Sequence, residues 1–338
     1  SWSLTGNAST MPGSVWTLQQ GTLVFDDTAT GQVANILGNG ALVFQQDGAL
    51  SVGSLTGAIS VLQSGPGTTT LVPNTHSLGT TLTGGRLSFG TEQALGSGAF
   101  TITGGVLQWT GNGSIARSIN WGASGAEIEV TGSQLTLDQP LLGGGALTKS
   151  GAGSLILTGD NTYTGGTTIA AGTLRVNGSI LGDVLDNGTL IFGNSAAYTY
   201  AGSITGSGNL SVVGTGLLTL TGNSNFGGTL TVNNANGGLN ITGGATVAWG
   251  GTTAHSNGQF LVNAGATATS GGATTITSSS TTPTTLTVDG TGSTFTTASV
   301  NAAAALNRNV TVSVTNGGRL TTNAGGLNLR ASAVSGAP

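Results

Sequence analysis

Apolar and polar residues alternate along this chain in short stretches, and Gly, Asn, Asp and Thr separate one stretch from the next. Residues 147–176, LTKSGAGSLILTGDNTYTGGTTIAAGTLRV, show the pattern most clearly at 154–158, 167–169 and 173–176. Alternation with a period of two is typical of half-buried β-strands. The pattern therefore predicts an all-β chain. The apolar members of the three pieces are expected to point into its core: Leu155, Leu157, Ile169, Leu174 and Val176.

The same rhythm returns upstream and downstream of this stretch. Residues 65–89 place Leu71 at the position of Leu157, and residues 214–241 place Leu220 there. A unit that recurs in this way cannot bury its apolar face alone and stacks on copies of itself, which predicts a β-solenoid. The glycines of the repeat are expected at the corners between strands: Gly159, Gly166 and Gly172.

Residues 147–176 resemble the autotransporter-associated β-strand repeat, whose pattern runs L-x-K-x-G-x-G-x-L-x-L-(S/T)-G-x-N-x-Y-(S/T)-G-G-T-x-(I/V)-x-x-G-x-L-x-V. Besides the core and corner positions above, the residues that fall on this pattern are Lys149, Gly151, Gly153, Asn161, Tyr163, Gly165 and Thr167. The resemblance implies a secreted passenger region of a Gram-negative surface protein, folded as a right-handed parallel β-helix. Residues 288–300 and 312–320 resemble another repeat of the passenger type.

The length of 338 residues does not by itself require two domains, because in a solenoid each turn contacts only its neighbours. We therefore expect one elongated β-helix over residues 1–338. The composition changes near residue 243, from a Leu-rich part at 1–242 to a Thr- and Ala-rich part at 243–338. This second part is either a continuation of the solenoid or a flexible stalk, and the strand-like segments that remain in it favour the solenoid.

Charge is scarce, since charged residues make up 5% of the chain and its net charge is −4. Nucleic-acid-binding surfaces need clustered Lys and Arg. Here the basic residues are scattered and Lys149 is the sole lysine, so we expect no nucleic acid as a partner. The chain has no Cys, which excludes a disulfide framework and a Cys-based metal site. No run reaches the roughly 18 consecutive apolar residues of a membrane-spanning helix.

The search for catalytic residues gives only weak candidates. His76 and His255 are the two histidines, they stand in unrelated contexts, and each is expected to lie in a loop. Without paired histidines near carboxylates the sequence predicts no zinc site, and it contains no G-x-S-x-G nucleophile motif. We therefore expect no catalytic residue, no cofactor and no metal.

Two acidic pairs are the closest approach to a carboxylate site. Asp26 and Asp27 are expected in a turn. Glu127 and Glu129 would share one face of a strand, and their repulsion predicts that this face is exposed to solvent or binds a cation. The exposed interpretation is favoured, because the loop spacing of calcium-binding motifs is missing.

Aromatic and hydroxyl-bearing side chains each have two interpretations. The tryptophans could stack on sugar rings, but in alternating strands they are more often in the core or at a cap: Trp2, Trp16, Trp109, Trp121 and Trp249. Paired threonines could form a flat hydroxyl array of the ice-binding type, but their irregular spacing favours turns or external ladders. The pairs are Thr252 and Thr253, Thr274 and Thr275, Thr284 and Thr285, and Thr296 and Thr297.

Three classes of function follow from these features. The first is a non-catalytic adhesin-type passenger, extracellular or on the bacterial surface, that binds host or matrix glycans and proteins or associates with identical chains in a biofilm. The second is a subunit of an extracellular filament or surface layer built from stacked β-helices. The third is an enzyme, either a polysaccharide-acting β-helix, which would need two carboxylates across a cleft, or a serine protease passenger. Scattered charge disfavours the polysaccharide-acting enzyme, and the missing catalytic motif disfavours the protease, so the adhesin passenger and the filament subunit remain the favoured, non-catalytic classes.

Overall fold

The computed structural model of the chain describes residues 2–4, 14–278, 282–304 and 309–331. Within these residues every regular element is a β-strand except the 3₁₀ helix Glu92–Leu95. The chain divides into two compact units, residues 1–172 and 173–338. None of the helices in the described part is long and apolar enough to cross a membrane.

The first unit consists of short parallel strands. They are β1 Trp2–Leu4, β2 Val15–Leu18, β3 Thr22–Phe25, β4 Gly31–Val33, β5 Asn35–Gly38, β6 Gly40–Phe44, β7 Ala49–Val52, β8 Leu55–Gly57, β9 Ile59–Gln63, β10 Thr68–Leu71, β11 Thr75–His76, β12 Gly79–Leu82, β13 Arg86–Phe89, β14 Phe100–Ile102, β15 Val106–Trp109, β16 Asn112–Ile115, β17 Ile119–Trp121, β18 Ala126–Val130, β19 Gln134–Leu137, β20 Leu147–Ser150, β21 Ser154–Leu157 and β22 Thr167–Ile169.

These strands pair with strands of the preceding and following turns. One ladder runs in the order β1-β3-β6-β9-β12-β14-β17 and another in the order β2-β5-β8-β11. A third runs β4-β7-β10-β13-β15-β18-β20-β22, and β16, β19 and β21 pair beside it. Leu23 pairs with Leu42, and Leu42 with Val61, so one turn takes 19 residues there. Equivalent side chains therefore stack on one another.

The second unit has the same construction with longer strands near its end. They are β23 Thr173–Val176, β24 Val184–Asp186, β25 Thr189–Phe192, β26 Tyr198–Tyr200, β27 Ile204–Gly206, β28 Asn209–Val213, β29 Leu217–Leu220, β30 Ser224–Phe226, β31 Leu230–Ile241, β32 Thr246–Trp249, β33 Thr253–Val262, β34 Thr267–Ser270, β35 Thr274–Ser278, β36 Thr284–Asp289, β37 Thr294–Ala304, β38 Val310–Thr315 and β39 Arg319–Ala331.

Parallel ladders also run through this unit. One follows β24-β27-β30-β32-β34-β37-β39 and another β26-β29-β31-β33-β36-β38. The Thr- and Ala-rich part beyond residue 243 supplies β32 to β39, so in the described residues it continues the solenoid. Residues 279–281, 305–308 and 332–338 of that part lie outside the described residues. The compositional boundary near residue 243 stays a prediction.

The core of each unit is a stack of apolar side chains from equivalent strand positions. In the first unit the rings of Phe25 and Phe44 stack with their centroids 4.9 Å apart. In the second unit Leu190 pairs with Leu210, which pairs with Leu230, and all three are buried. The predicted all-β parallel solenoid is confirmed.

Candidate functional site

The repeat at residues 147–176 supplies core positions to both units. In the first unit the side chains of Leu155, Leu157 and Ile169 have no exposed surface, and in the second unit the same holds for Leu174 and Val176. Along β21, β22 and β23, buried side chains alternate with half-buried side chains that point outward. The five side chains thus lie where a charged substitution would enter the core.

Two different structural requirements explain why glycine stands at the three corner positions. Gly166 and Gly172 have φ values of +79° and +71°, a left-handed conformation that favours glycine. At Gly172 a Cβ would also lie 2.4 Å from the carbonyl oxygen of Gly151. Gly159 does not have a positive φ, but a Cβ there would lie 2.7 Å from the backbone nitrogen of Pro140. Its role is close packing of successive turns.

Lys149 has a role that the sequence pattern did not reveal. Its side chain is fully buried, and its Nζ donates to the carbonyl oxygens of Ser150, Gly151 and Ala171 at 2.6, 2.9 and 3.1 Å. Burial lowers the pKa of Lys149 to about 8, so the ammonium form with its three donors still prevails at pH 7. Lys149 therefore hydrogen-bonds the carbonyl groups of two turns from inside the solenoid.

In other turns, different side chains donate hydrogen bonds to backbone carbonyl oxygens from inside the solenoid. In the upstream copy Gln63 takes the aligned position, and its Nε2 donates to the carbonyl oxygens of Gly65 and Gly67 at 2.9 and 3.3 Å. In the downstream copy the aligned residue is the buried Val212, and Asn234 Nδ2 donates to the carbonyl oxygen of Gly216 at 2.6 Å. The shared presence of a donor at the aligned positions of Lys149 and Gln63 is the signal that the sequence offered, and the Val212 of the third copy conceals it.

The expectation that His76 lies in a loop is wrong. His76 lies in β11 and is fully buried. Asn74 Nδ2 donates to the carbonyl oxygens of Val72 and Ala94, so its Oδ1 is the acceptor for His76 Nδ1 at 2.5 Å. Burial and the nearby charge of Arg117 lower the pKa of His76 to about 4. This imidazole is a neutral part of the core.

The loop assignment of His255 is also wrong. His255 lies within β33 and is 1% exposed. Its Nε2 is 3.1 Å from the carbonyl oxygen of Gly258, and its ring packs edge-on against Phe260 with centroids 6.1 Å apart. Burial lowers its pKa to about 4. Alternation placed both histidines on the inner face of a strand, a signal that their Ser and Thr neighbours obscured.

The 3₁₀ helix Glu92–Leu95 is fixed to the next turn by a charged pair. Glu92 Oε1 accepts from Arg117 Nε at 2.8 Å and from the Arg117 backbone N–H at 3.1 Å. The other guanidinium nitrogens of Arg117 donate to the carbonyl oxygens of Gly98 and Gly96 at 2.9 and 2.6 Å. Although burial raises the pKa of Glu92, these hydrogen bonds hold it below its ordinary value. The pair thus joins the 3₁₀ helix to residues of the following turn.

The acidic pairs lie on the outside of the first unit. Asp27 is in a turn that Asp26 precedes. Glu127 and Glu129 are half-buried residues on the outward face of β18. Glu129 forms an ion pair with Arg86 and accepts from Gln108 Nε2 at 2.9 Å, and Glu127 accepts from the hydroxyl of Ser150. No group of three or more His, Cys, Asp or Glu side chains that could hold a metal ion occurs among the described residues.

The tryptophans and paired threonines divide between the inside and the outside. Trp109, Trp121 and Trp249 are 1%, 6% and 2% exposed, whereas Trp2 is 73% exposed and Trp16 is intermediate. One member of each threonine pair is buried, because neighbouring strand residues point to opposite faces. The buried members are Thr253, Thr274, Thr284 and Thr297. The two members of a pair therefore do not share a flat outer array.

Two comparisons show which known proteins this chain resembles. Residues 147–176 match the family model described as passenger-associated-transport-repeat. The chain carries an autotransporter passenger repeat. It is also 32% identical over 261 residues to the adhesin BmaC autotransporter of Brucella suis biovar 1 (strain 1330), a match that covers 67% of this chain and 8% of the adhesin. The chain thus spans a small part of that relative's length. No solved structure matches the chain.

The resemblance of this region to autotransporter passengers is confirmed by these matches. Within the passenger repeat, the structure gives Tyr163 a partner for its hydroxyl, which lies 2.6 Å from Thr167 Oγ1. Asn161 Oδ1 accepts from the backbone N–H of Leu141 at 2.8 Å. The polar residues of the passenger repeat therefore bond buried groups of the solenoid itself.

Asp186 lies beyond the passenger repeat and is another buried charge that the sequence did not reveal. Its side chain has no exposed surface, and its Oδ1 accepts from the backbone N–H of Gly188 at 2.9 Å. Its Oδ2 has no hydrogen-bond partner among the described residues. Burial raises the pKa of Asp186 to about 6. This carboxyl group therefore changes its charge within a mildly acidic range.

Proposed function

We propose that this chain is a non-catalytic adhesive module of a secreted protein, on or released from the surface of a Gram-negative bacterium. The observation that carries the proposal is the similarity to an autotransporter adhesin over two thirds of the chain. The match of residues 147–176 to the passenger-associated-transport-repeat supports it, because passengers are the exported parts of autotransporters. Both histidines support a structural role, since each is buried and bonded to its own solenoid turn.

The physical properties of the solenoid suit adhesion to other molecules or to identical chains. Stacked turns hold outward residues at fixed spacings, so a ligand meets a surface that loses little conformational entropy on binding. A net charge of −4 over 338 residues gives weak repulsion between copies. Host or matrix glycans and proteins are the proposed partners, and association of identical chains, as in a biofilm, is the proposed second mode.

The test is an adhesion assay with the purified chain. Fluorescent beads coated with the chain are counted on cultured epithelial cells and on surfaces coated with extracellular matrix glycoproteins. Beads coated with the Leu157→Asp variant are the control, since an aspartate in place of a fully buried leucine disrupts the fold. We expect the wild-type beads to adhere several times more often than the control beads. Equal adhesion of both bead types would contradict the proposal.

Association of identical chains has a separate readout. Light scattering over a concentration series measures the mass of the purified chain in solution. We expect the mean mass to rise above 32.7 kDa as concentration increases. A constant monomer mass would remove the second mode and leave adhesion to other molecules as the proposed function.

A further inference from the structure

An asparagine followed by a glycine, Asn177 and Gly178, stands directly after β23 in the second unit. Both residues are partly exposed to solvent. An Asn-Gly pair can lose ammonia when the glycine backbone nitrogen attacks the asparagine Cγ, because glycine has no Cβ to shield that nitrogen. Seven such pairs occur in the chain, so the surrounding structure decides which of them is arranged for this reaction.

Arg175 holds the side-chain carbonyl group of Asn177. Its Nε donates to Asn177 Oδ1 at 2.8 Å. During attack on Cγ this oxygen gains negative charge, and a guanidinium already in contact with it stabilises the oxyanion more than the neutral amide. Gly193 leaves room for the contact, since a Cβ there would lie 2.6 Å from both Asn177 Oδ1 and Arg175 Nη2. The contact therefore favours the tetrahedral intermediate of the reaction.

Asn194 acts on the attacking nitrogen. Its Nδ2 donates to the backbone carbonyl oxygen of Asn177 at 3.0 Å, and this oxygen belongs to the same peptide group as the Gly178 nitrogen. When that nitrogen loses its proton, resonance places negative charge on the oxygen, where a hydrogen-bond donor stabilises it. No backbone carbonyl group described in the second unit accepts from the Gly178 N–H. The contact with Asn194 thus makes the Gly178 nitrogen a better nucleophile.

Two other Asn-Gly pairs of the second unit are arranged differently. The N–H of Gly188, which would attack Asn187, donates to Asp186 Oδ1 at 2.9 Å, so this nitrogen is already bonded. At the other pair, Asn316 Nδ2 donates to Asp289 Oδ1 at 2.7 Å. A negative charge there lies beside the amide and opposes the formation of an oxyanion. These two pairs are natural controls for Asn177 within one molecule.

We infer that Asn177 is a site of spontaneous deamidation in the folded chain. The Gly178 nitrogen loses its proton to hydroxide and forms a bond to Asn177 Cγ, and the Cγ–Nδ2 bond breaks as ammonia leaves with a proton from water. Water then opens the resulting succinimide at either carbonyl group, which gives aspartate or isoaspartate. Aspartate places a carboxylate beside Arg175, whereas isoaspartate adds a methylene group to the main chain directly after β23.

The test follows deamidation of the purified full chain during incubation in mildly alkaline buffer at physiological temperature. Samples are digested with pepsin at acidic pH, where deamidation is slow, and mass spectrometry measures the fraction of each asparagine converted to a carboxyl form. We expect Asn177 to convert about tenfold faster than Asn187 and Asn316, the scale of one hydrogen bond to a charged group. In urea the contacts are lost, and the three rates should become similar.

Two variants separate the Arg175 contact from the Asn-Gly pair itself. Arg175→Met removes the guanidinium and should slow the conversion of Asn177 about tenfold. Gly193→Ala leaves Arg175 and Asn177 in the sequence but pushes them apart through its Cβ, so it should slow the conversion as well. In both variants Asn187 and Asn316 should convert at their wild-type rates, and the far-UV circular dichroism spectrum should stay that of the wild type.

Three results would overturn the inference. The first is conversion of Asn177 in the folded chain at a rate no higher than that of Asn187 and Asn316. The second is an unchanged rate in Arg175→Met. The third is the same ratio of rates in urea as in the folded chain, because the local sequence and not the fold would then be the cause. None of these results bears on the adhesion assay, so the inference stands or fails independently of the proposed function.

Discussion

Replacement of Lys149 by methionine tests how the solenoid satisfies its turns. Methionine has a similar length and no hydrogen-bond donor, so the carbonyl oxygens of Ser150, Gly151 and Ala171 would lose the partner they have now. An unsatisfied buried group costs about 1–3 kcal/mol, which gives about 6 kcal/mol for three at the middle of the range.

Part of this loss is offset because the buried ammonium is itself unfavourable. The pKa of Lys149 falls from its ordinary 10.5 to about 8, and at 1.36 kcal/mol for each pKa unit this corresponds to about 3 kcal/mol. The substitution removes that penalty together with the hydrogen bonds. The net expectation is a decrease of about 3 kcal/mol in the free energy of unfolding of the first unit at pH 7.

Lys149→Gln is the matched control, because Gln63 already performs this role in the upstream copy. Its amide restores two donors without a charge, so we expect a loss of about 1 kcal/mol or less. The assay is urea unfolding followed by fluorescence of a variant that retains Trp109 as the sole tryptophan. Trp109 reports on the first unit, which matters because solenoids can unfold in more than one step.

The pH dependence gives a second and independent readout. Because the folded chain releases the Lys149 proton near pH 8 and the unfolded chain near 10.5, the unfolded state binds more protons in between. The stability of the wild type should therefore rise between pH 8 and 10.5 relative to Lys149→Met, by up to about 3 kcal/mol. The reasoning is refuted if Lys149→Met unfolds at the same urea concentration as the wild type at pH 7, or if the two pH profiles are parallel.

Three further predictions concern Asp186, Leu157 and Gly172. Because burial raises the pKa of Asp186 to about 6, the folded state keeps its proton at pH values where the unfolded state has lost it. The stability of the second unit should fall by up to about 3 kcal/mol as pH rises from 4 to 7, and Asp186→Asn should abolish this dependence in urea titrations. Leu157→Asp should cost several kcal/mol in thermal unfolding, whereas Ile156→Asp, on the outward face of the same strand, should cost little; equal losses would disprove the inward orientation. Gly172→Ala should cost about 2 kcal/mol because φ is +71° and the Cβ meets backbone oxygen, while Gly144→Ala, with nothing within 4 Å of its Cβ, should melt like the wild type.

The regular part of the fold could be predicted because alternation has a direct physical cause. Leu155 and Leu157 stand two residues apart, and in an extended strand this spacing places both on one face. Recurrence of the same rhythm in residues 65–89 and 214–241 then predicts stacking. Burial of Leu155 and Leu157 follows from geometry that every turn shares.

The polar interior could not be predicted in the same way. His76 and Lys149 occupy inward positions, but their residue types are those usually found at the surface. Lys149 donates to three backbone carbonyl oxygens, and the ring of His76 bonds the side chains of Asn74 and Thr80. The three carbonyl oxygens around Lys149 become identifiable only when the turns are stacked. A sequence shows which side chains can donate and does not show which carbonyl oxygens would otherwise be without a donor.

A groove beside β17, lined by Trp121, Pro140 and Leu142 among others, also could not be predicted from the sequence. Trp121 follows the alternation of its strand and was expected in the core or at a cap, which its 6% exposure fits. The opening beside it results from residues 138–146, which are one turn further along the chain and form no strand. Only the stacking of one turn on the next brings Pro140 beside Trp121 and leaves a cavity there.

Different buried side chains donate to backbone carbonyl oxygens in different turns, and this affects how many solenoid turns can be recognised from sequence motifs in a long surface protein. Lys149, Gln63 and Asn234 all donate to carbonyl oxygens of the solenoid, Lys149 and Gln63 from aligned positions and Asn234 from a different position in its copy. The family model matches residues 147–176 alone, while each of the two units contains parallel ladders of the same kind. The number of motif matches in such a protein is therefore a lower bound on its number of turns. Segments between matches can form solenoid turns even though they do not match the motif.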